Sequence, residues 1–506
     1  MKPNYPRIIV AGMKGGAGKT LVSLGIIAAW KKQGLSVVPY KKGPDYIDAG
    51  WLSSAAGHAC FNLDPFLITK EKIISSFAGH YGKADCAVIE GNRGLYDGMD
   101  AAGTYSTAEL AKTLQAPVIL VLDCTKVTRT AAAMLLGMLK FDPKVKISGV
   151  VLNQIAGKRH EKVIREAIAK YCRVPVVGAI PKLRGEQLSE RHMGLTPFQE
   201  HPEVKKAIAA CADIAEQYLD LDAIRKIAKK AGIGDWGLGT GNTHYSSPIT
   251  RHGLRIGIIR DSAFQFYYPE NFEELEKRGA KLIEISALKA KKLPDIDALY
   301  IGGGFPETHA IALAKNKNFR NALKAAVEQG LPVYAECGGL MYLGEALVLD
   351  RNTYPMAGIF PLRFSLEKKP QAHGYTIVKV AKANPFYKRG TLIRGHEFHY
   401  SCVIKPLNKE FISISPSPLP SPSSGEVRGG DEGECVVCGL TNGRLGKKNN
   451  LQFAFRMERG EGIMDGQDGI FYKNVLATYT HLHALGCPEW AEGMIQQAVA
   501  YQKGRK

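Results

Sequence analysis

The segment GMKGGAGKT, residues 12–20, decides the fold that this sequence predicts. It follows a strand-like apolar run at 7–11 and precedes a helical pattern at 21–32. Glycines let a backbone wrap around a phosphate, and a helix N-terminus offers N–H donors and positive potential. Lys19 then reaches the terminal phosphates and Thr20 can hold Mg²⁺, so we expect a phosphate-binding loop. The residues predicted to contact the nucleotide are Gly15, Gly16, Gly18, Lys19 and Thr20.

The loop departs from the strict G-x-x-x-x-G-K-[ST] pattern because Met13 stands where the first glycine belongs. What remains, KGGAGKT at 14–20, resembles the deviant loop of partition ATPases and nitrogenase iron proteins. In those ATPases the extra lysine, here Lys14, reaches the phosphates of a partner subunit; a solvated lysine is the alternative. The sequence therefore leaves a homodimer open. The alternative for the whole loop is a glycine-rich turn without a ligand.

Strand-like runs alternate with helical patterns in the first half of the chain, which predicts a parallel sheet with crossover helices. The alternation restarts in the second half, whose C-terminal part is richer in strand candidates. In the first half the strand candidates are residues 7–11, 86–90, 117–123, 146–153 and 174–178. In the second half they are residues 255–259, 281–285, 298–301, 332–335, 374–380 and 391–404, followed by a helix at 489–502. One crossover helix has a clear apolar face, formed by Val163, Ile164, Ala167, Ile168 and Tyr171.

Two low-hydrophobicity stretches divide the chain. Residues 231–247 are glycine-rich without a hydrophobic period, so we place a first α/β domain at 1–230, a linker at 231–252 and a second α/β domain at 253–506. Residues 413–450 are rich in Pro, Ser and Gly and cannot bury enough apolar surface to offset the entropy of ordering. We expect a disordered insertion there.

The composition is that of a globular protein, with 506 residues, 45% hydrophobic and 23% charged. No apolar run is long enough for a membrane span, and the N-terminus lacks the layout of a signal peptide. The 10 cysteines are scattered, which favours reduced thiols and a cytoplasmic location. The net charge of +19 comes without a zinc finger, an RNA-binding aromatic signature or a basic tract. We therefore expect no nucleic acid and no membrane among the partners.

Two further segments of the first domain contain candidate carboxylates. In GPDYID at 43–48, Asp45 and Asp48 suit Mg²⁺ or phosphate-transfer chemistry; turn and N-cap carboxylates are the alternative. Glu90 stands at the carboxyl end of a buried strand, and Asp97 follows in GLYDG at 94–98. Open α/β sheets bind ligands at this edge.

The second domain contains a strand, a sharp turn and a helix at 331–347, with Cys337 at the turn. A thiol at such an elbow is exposed above the sheet, and a helix N-terminus lowers its pKa. Backbone N–H groups at Gly303 and Gly338 are candidates for an oxyanion hole, and His481 is the candidate base. The alternatives are a buried structural cysteine and structural histidines.

Two other motifs carry less weight. Cys435 and Cys438 form one CxxC pair without a second, so we expect no metal there. His396 and His399, in RGHEFHY at 394–400, either line a substrate site or are satisfied locally.

Taken together, these segments resemble the glutamine-dependent a,c-diamide synthases of tetrapyrrole biosynthesis, the cobyrinic acid (or hydrogenobyrinic acid) a,c-diamide synthase family. The matching segments beyond the phosphate loop are GPDYIDAG at 43–50, FNLDPF at 61–66, AVIEGNRGLYDG at 87–98, STAELAK at 106–112, ERHMGL at 190–195, FYYPENFEELE at 266–276, YIGGGFPE at 300–307, PVYAECGGLMYL at 332–343, RGHEFHYS at 394–401 and HLH at 481–483. The resemblance implies a dethiobiotin synthetase-like P-loop domain with a parallel sheet, fused to a class I glutamine amidotransferase-like α/β domain.

The resemblance also implies a ligase that forms C–N bonds, with ATP and L-glutamine as co-substrates and Mg²⁺ as cofactor. Cys337, activated by His481, would release ammonia from glutamine, and the γ-phosphate of ATP would activate a substrate carboxylate. His483 stands where many class I enzymes have Glu, so the sequence leaves the third triad member open between His483 and another residue. Tyr46 falls in the motif that faces the tetrapyrrole. The residues implied for Mg²⁺ are Thr20 and Glu90, and those implied around metal, ATP and substrate are Asp45, Asp48, Glu90 and Asp97.

The expected substrate is cobyrinic acid, amidated on its a and c acetates in cobalamin biosynthesis. Ni-sirohydrochlorin and sirohaem present similar acetates and are the alternatives. Cobyric acid synthase shares the architecture, but GPDYID and RGHEFHYS favour the a,c enzyme. A partition-type ATPase that binds DNA is a more distant alternative. In that interpretation the second half of the chain would be a binding module, which has no use for the Cys337 elbow and His481. The sequence does not give the chelated metal, the order of the amidations or the oligomeric state.

Overall fold

The computed structural model describes residues 4–183, 204–231, 253–404 and 451–505. The predicted insertion at 413–450 lies outside these ranges, as does the predicted linker apart from Ala231. Within the described ranges, every helix is too short or too polar to cross a bilayer.

The first half folds around one parallel sheet of seven strands. The strands are β1 (Arg7–Gly12), β2 (Val37–Lys42), β3 (Phe61–Leu63), β4 (Cys86–Gly94), β5 (Val118–Asp123), β6 (Ile147–Ile155) and β7 (Val176–Pro181). The helices are α1 (Lys19–Lys32), α2 (Ile47–Ala56), α3 (Lys70–Tyr81), α4 (Thr107–Leu114), α5 (Arg129–Phe141), α6 (Lys158–Tyr171), α7 (Val204–Tyr218) and α8 (Leu221–Lys229). The strand order is β3-β2-β4-β1-β5-β6-β7, and separate apolar clusters cover the two faces. The phosphate loop therefore leaves a strand near the centre of the sheet.

The five strands predicted for this domain are confirmed, but β2 and β3 were not predicted. β2 contains Pro39 and ends in Lys41 and Lys42, and β3 has only three residues, so neither gives a strong strand pattern. The apolar face predicted for α6 is wrong at two of its residues, because Val163 and Tyr171 are 37% and 39% exposed. The buried stripe of that helix is narrower than its apolar pattern.

The second half contains a mixed ten-stranded sheet and a four-stranded sheet. The strands are β8 (Leu254–Ile259), β9 (Ala280–Ile285), β10 (Ala298–Ile301), β11 (Val333–Glu336), β12 (Ala346–Leu349), β13 (Asn352–Pro355), β14 (Arg363–Leu366), β15 (Ala372–Val380), β16 (Leu392–His399), β17 (Ser401–Val403), β18 (Phe453–Arg459), β19 (Gln467–Tyr472), β20 (Val475–Thr478) and β21 (His481–Leu482). The helices are α9 (Pro269–Lys277), α10 (Ala310–Lys315), α11 (Lys317–Glu328), α12 (Gly338–Leu343) and α13 (Pro488–Gly504). The large sheet has the order β21-β16-β15-β18-β19-β20-β11-β10-β8-β9, and the small sheet β13-β12-β14-β17.

Strands β9, β8, β10, β11 and β20 pair in parallel, and the rest of the large sheet is antiparallel. The run predicted as one strand at 391–404 is two strands in different sheets, because the chain leaves the large sheet at Tyr400. In the strand, turn and helix predicted at 331–347, the helix runs from Gly338 to Leu343 and ends before β12. These two bends shape the wall that faces the first domain.

The two domains contact each other through folded elements. The Tyr375 hydroxyl donates to Asp64 Oδ2 at 2.7 Å, and the Lys72 ammonium donates to the Leu485 carbonyl at 2.6 Å. His80 Nε2 lies 3.0 Å from a Glu273 carboxylate oxygen. Parallel strands of both large sheets have their carboxyl ends at a cavity between the domains, since residues after β2, β4, β10 and β11 line it.

Candidate functional site

The phosphate loop has the backbone geometry that its sequence predicts. Gly16 and Gly18 have φ values of 68° and 96°, a region that favours glycine. Lys19 is buried, and its ammonium donates to the Lys14 carbonyl at 3.5 Å. Burial lowers the pKa of Lys19, against the opposing influence of the Glu90 charge. Gly15 carries no steric requirement, because a Cβ there would meet nothing within 4 Å.

Lys14 pairs within its own chain. Its ammonium lies 2.9 Å from Asp123 Oδ2, and its side chain is 58% exposed. The expectation that it serves a partner subunit stays a prediction.

A buried lysine at the end of β2 organises the acids of the first domain. The Lys41 ammonium lies 2.6 Å from Asp48 Oδ2 and 2.9 Å from Glu90 Oε1. The Thr20 hydroxyl donates to the same Glu90 oxygen at 2.8 Å. Burial opposes the charge of Lys41, but the two carboxylates outweigh it and raise its pKa well above the ordinary value. The structure thus brings Thr20, Asp48 and Glu90 together around a residue that the sequence analysis did not single out.

Asp45 and Asp97 lie at the edges of this cluster. Asp45 accepts the N–H of Asp48 at 2.9 Å. This is the kind of contact expected from the alternative role as a turn or N-cap carboxylate, and it occurs beside the acid cluster. Burial raises the pKa of Asp45 to about 6 and that of Glu90 to about 7. Asp97 accepts the N–H of Gly94 at 2.8 Å, next to the phosphate loop.

The oxygen atoms at this edge fit a magnesium ion that also binds phosphate. Glu90 Oε2 is buried and has no hydrogen-bond partner, although the Thr20 hydroxyl is bound to the other oxygen of the same carboxylate. Among the described residues, no group of three or more His, Cys, Asp or Glu side chains could enclose a metal. Mg²⁺ commonly takes one or two protein oxygens and completes its shell with phosphate oxygens and water. Thr20 and Glu90 would hold it in that way.

Cys337 sits between β11 and α12 in a strained backbone conformation, with φ 48° and ψ −101°. Its N–H donates to the Thr478 carbonyl at 2.7 Å, which ties the turn to β20. Burial raises the pKa of the Cys337 thiol well above its ordinary value, and the Gly338 N–H lowers it only in part. The expected lowering of this pKa is therefore wrong, because the side chain is buried rather than exposed above the sheet. Deprotonation of the thiol requires a nearby base.

The glycine-rich loop after β10 packs on His481 and on Gly338, the residue after Cys337. A Cβ on Gly303 would lie 2.4 Å from Cε1 of His481, and a Cβ on Gly338 would lie 3.0 Å from the Gly304 nitrogen. Close backbone approach at both positions requires glycine. Gly303 and Gly338, the two oxyanion candidates, thus flank the thiol and the imidazole.

Two buried glutamates accompany the histidines of the HLH segment. His481 Nδ1 lies 3.4 Å from Glu336 Oε2, and His483 Nε2 lies 3.5 Å from Glu270 Oε1. Sequence reasoning missed Glu336, which directly precedes Cys337. Its charge at the buried end of an apolar strand, VYAE at 333–336, was the available signal.

Tyr46 joins the two halves of the site. Its ring stacks on Phe266 with centroids 5.3 Å apart and planes within 4°, and lies 5.4 Å from the His481 ring. The backbone that presents Asp45 to the acid cluster therefore places the next side chain against the glutaminase candidate base.

One cavity of about 400 Å³ extends from Asp45 and Asp97, at the edges of the acid cluster, to Cys337 and His481. Burial lowers the pKa of His396 and His399, so both are neutral imidazoles in its wall. Nδ1 of His399 contacts the Ser401 carbonyl at 2.8 Å, so this residue is also satisfied locally, and a role in substrate binding stays a prediction. Residues from the first domain that line the cavity include Lys42, Asp45, Tyr46, Arg93 and Asp97. Residues from the second domain that line it include Glu307, Cys337, Tyr375, His396, His399, Arg459 and His481.

Comparison with known proteins gives matches in both halves of the chain. The model of the CobQ/CobB/MinD/ParA nucleotide binding domain family matches residues 8–194. The model of the CobB/CobQ-like glutamine amidotransferase domain family matches residues 255–430.

Several curated proteins are similar over most of this chain. A protein of Magnetococcus marinus named cobyrinate a,c-diamide synthase is 38% identical over 494 residues, which are 97% of each chain. Proteins with the same name from Archaeoglobus fulgidus and Listeria monocytogenes are 37% and 41% identical. These alignments cover 98% of this chain and 98% of the Archaeoglobus protein, and 78% of this chain and 87% of the Listeria protein.

Proposed function

The chain belongs to the cobyrinate a,c-diamide synthase family, and we propose that it amidates the a and c acetate carboxylates of cobyrinate with ATP and glutamine in cobalamin biosynthesis. The observation that carries this proposal is a cavity between the two domains. Asp45 of the nucleotide-binding domain and Cys337 and His481 of the amidotransferase domain all line it. Carboxylate activation and ammonia release therefore take place at two ends of one space.

At the cysteine end, His481 accepts the Cys337 proton as Sγ attacks the side-chain amide carbon of glutamine. The tetrahedral intermediate collapses when the nitrogen is protonated and leaves as ammonia. Water then hydrolyses the thioester to glutamate and restores the thiol. In this proposal the backbone N–H groups of Gly303 and Gly338 stabilise the oxyanion.

At the acid end, a substrate carboxylate oxygen attacks the γ-phosphorus of ATP, and ADP leaves. Ammonia then attacks the carbonyl carbon of the acyl phosphate, and inorganic phosphate leaves with the C–O bond electrons. Lys19 holds the terminal phosphates, and Thr20 and Glu90 would hold Mg²⁺. A bound magnesium ion would neutralise part of the negative charge of the phosphates. Activation is required because hydroxide is a poor leaving group.

Ammonia must stay unprotonated to act as the nucleophile, and bulk water would protonate it at neutral pH. In this proposal ammonia passes from Cys337 towards Asp45 through the cavity that both residues line. The ring of Tyr46 forms part of its wall, beside His481.

The walls of the cavity suit a substrate with many carboxylates. Lys42, Arg93 and Arg459 line it and provide cationic partners for carboxylates that are not being amidated. A tetrapyrrole with acetate and propionate side chains has this chemistry. Sirohydrochlorin derivatives share it, so the choice between them and cobyrinate needs a direct test.

That test is product analysis by mass spectrometry with a panel of tetrapyrroles. Cobyrinate should gain two amides, with two ATP and two glutamine consumed per product. Each conversion replaces OH by NH₂, so the product mass counts the amides and fragmentation locates them. A product with four new amides would overturn the assignment, and so would turnover of a different acid with none of any tetrapyrrole.

A further inference from the structure

We propose that Glu336 positions His481 for catalysis, as the third member of a triad whose carboxylate directly precedes its nucleophile. This inference rests on the proposed glutaminase role of Cys337 and His481. His481 Nδ1 is buried, lies 3.4 Å from Glu336 Oε2 and has no closer polar partner among the described residues. The distance is longer than an ordinary N–H···O bond, but such contacts often tighten only when substrate binds.

The Glu336 carboxylate is held in a fixed orientation. Its side chain is fully buried, the Tyr300 hydroxyl donates to Oε2 at 3.1 Å, and the Leu482 N–H donates to Oε1 at 3.4 Å. Both donors are neutral, so they orient the carboxylate without cancelling its charge. Asn271 donates to the Tyr300 oxygen at 3.2 Å and fixes that donor in turn.

A carboxylate at Nδ1 does two things for a histidine base. It keeps the proton on Nδ1, which leaves Nε2 free to accept the thiol proton, and it stabilises the imidazolium that then forms. The neutral form of the Cys337 thiol makes this contribution necessary, since burial raises its pKa well above the ordinary value.

The other groups that face His481 do not supply this charge. His396 stacks on it at 4.9 Å, and burial keeps its pKa well below the ordinary value, so it is a neutral neighbour. Tyr46 lies 5.4 Å away, ring to ring. Among the described residues, Glu336 is the carboxylate within ion-pair distance of His481.

His483, which the sequence leaves open for this role, is engaged elsewhere. Its Nδ1 accepts the Leu485 N–H at 3.3 Å, and its Nε2 faces Glu270. Its ring packs on Tyr268 with centroids 4.7 Å apart. The HLH segment therefore has two buried His–Glu pairs, and only the His481 pair reaches the cavity.

The second pair provides a matched control. Glu336→Gln and Glu270→Gln each neutralise one buried glutamate beside one histidine of the HLH segment. Glutamate release from L-glutamine and diamidation with ammonium chloride are measured for both variants. We expect Glu336→Gln to lower the glutaminase kcat by roughly 10²- to 10⁴-fold, as an amide in this position does in other triads. KM for glutamine should stay within about threefold, because the lost interaction acts in the transition state.

Ammonium-dependent diamidation should survive in both variants, and Glu270→Gln should keep glutaminase kcat. A Glu336→Gln variant with wild-type kcat would overturn the proposal, and so would an equal kcat loss in Glu270→Gln. If Glu336→Gln does not fold, Tyr300→Phe tests the same contact by removing a donor to Oε2. It should lower kcat several-fold with KM unchanged, and an unchanged kcat would contradict the inference.

Cys337→Ser, assayed in parallel, separates this inference from the proposed function. If Cys337→Ser retains glutaminase activity, the proposed function fails. If Cys337→Ser loses that activity and Glu336→Gln keeps it, only the role of Glu336 fails.

Discussion

The two ends of the interdomain cavity are organised by different forces. At the acid end, opposite charges fix the geometry, since the Lys41 ammonium lies within 3 Å of both Asp48 and Glu90. At the cysteine end, the backbone fixes it, since Cys337 has a φ of 48° and Gly303 lets His481 approach closely. The acid end handles phosphate charge, whereas the cysteine end must create charge from a neutral thiol. Substitutions at the two ends should therefore have different effects on activity and stability.

The largest effect is expected at the acid end. Lys19→Ala or Glu90→Gln should lower diamidation at least about 10³-fold with either glutamine or ammonium chloride, because carboxylate activation fails. Product formation with both nitrogen donors is the measurement. Lys32→Ala is the control, since Lys32 lies on the same helix in an exposed ion pair with Glu216. Ammonium-dependent synthesis in both variants would refute the assignment of the nucleotide site.

A similar loss that depends on the nitrogen donor is expected at the cysteine end. Cys337→Ser should lower glutamine-dependent diamidation at least about 10³-fold and leave the ammonium-dependent reaction intact. Cys402→Ser is the control, because Cys402 is only half-buried and lies at the Ser365 hydroxyl rather than at the cavity. Equal loss with both donors in Cys337→Ser would show that the two ends are not separable.

The two ends should also respond to pH with opposite signs. Burial raises the pKa of Asp45 from 3.8 to about 6, so between these values the folded state binds the extra proton and stability falls as pH rises. Burial lowers the pKa of His399 from 6.5 to about 4, so in that window the unfolded state binds the extra proton and stability falls as pH drops. At roughly 1.4 kcal/mol per pKa unit, the full His399 effect is about 3 kcal/mol.

Urea unfolding from pH 4 to pH 7 measures both contributions. Asp45→Asn should reduce the loss of stability on raising the pH, and His399→Gln should reduce the loss on lowering it. Glu90 and His396 contribute with the same signs and remain in both variants. If both variants changed the pH dependence of stability in the same direction, the opposite signs expected for Asp45 and His399 would be contradicted.

The smallest effect concerns the strained turn. A non-glycine residue with positive φ costs about 1 kcal/mol or more, so Cys337→Gly should be about 1 kcal/mol more stable than Cys337→Ala. Thermal unfolding of the two variants gives the comparison, and neither has a thiol. An alanine variant as stable as the glycine variant would mean that the turn is not strained.

Short-range patterns predicted the strand, loop and helix of the phosphate segment, five strands of the first domain and the turn at Cys337. Each is encoded within about ten neighbouring residues, so spacing alone reveals it. Lys41 was missed because its role depends on Glu90, which is adjacent only through the pairing of β2 with β4. Glu336 was missed because His481 reaches it from the far end of the chain. The predicted direction of the Cys337 pKa shift was wrong because the shift is set by burial, which depends on the tertiary structure.

The contacts between the domains have a consequence for the gene. Asp64 with Tyr375, Lys72 with Leu485 and His80 with Glu273 join the halves without using residues 232–252. A break in the reading frame within that stretch would leave all three contacts and every residue of the cavity encoded. Gene fission at this point would yield two subunits that carry complementary surfaces from the start, and a heterodimer could inherit the whole site.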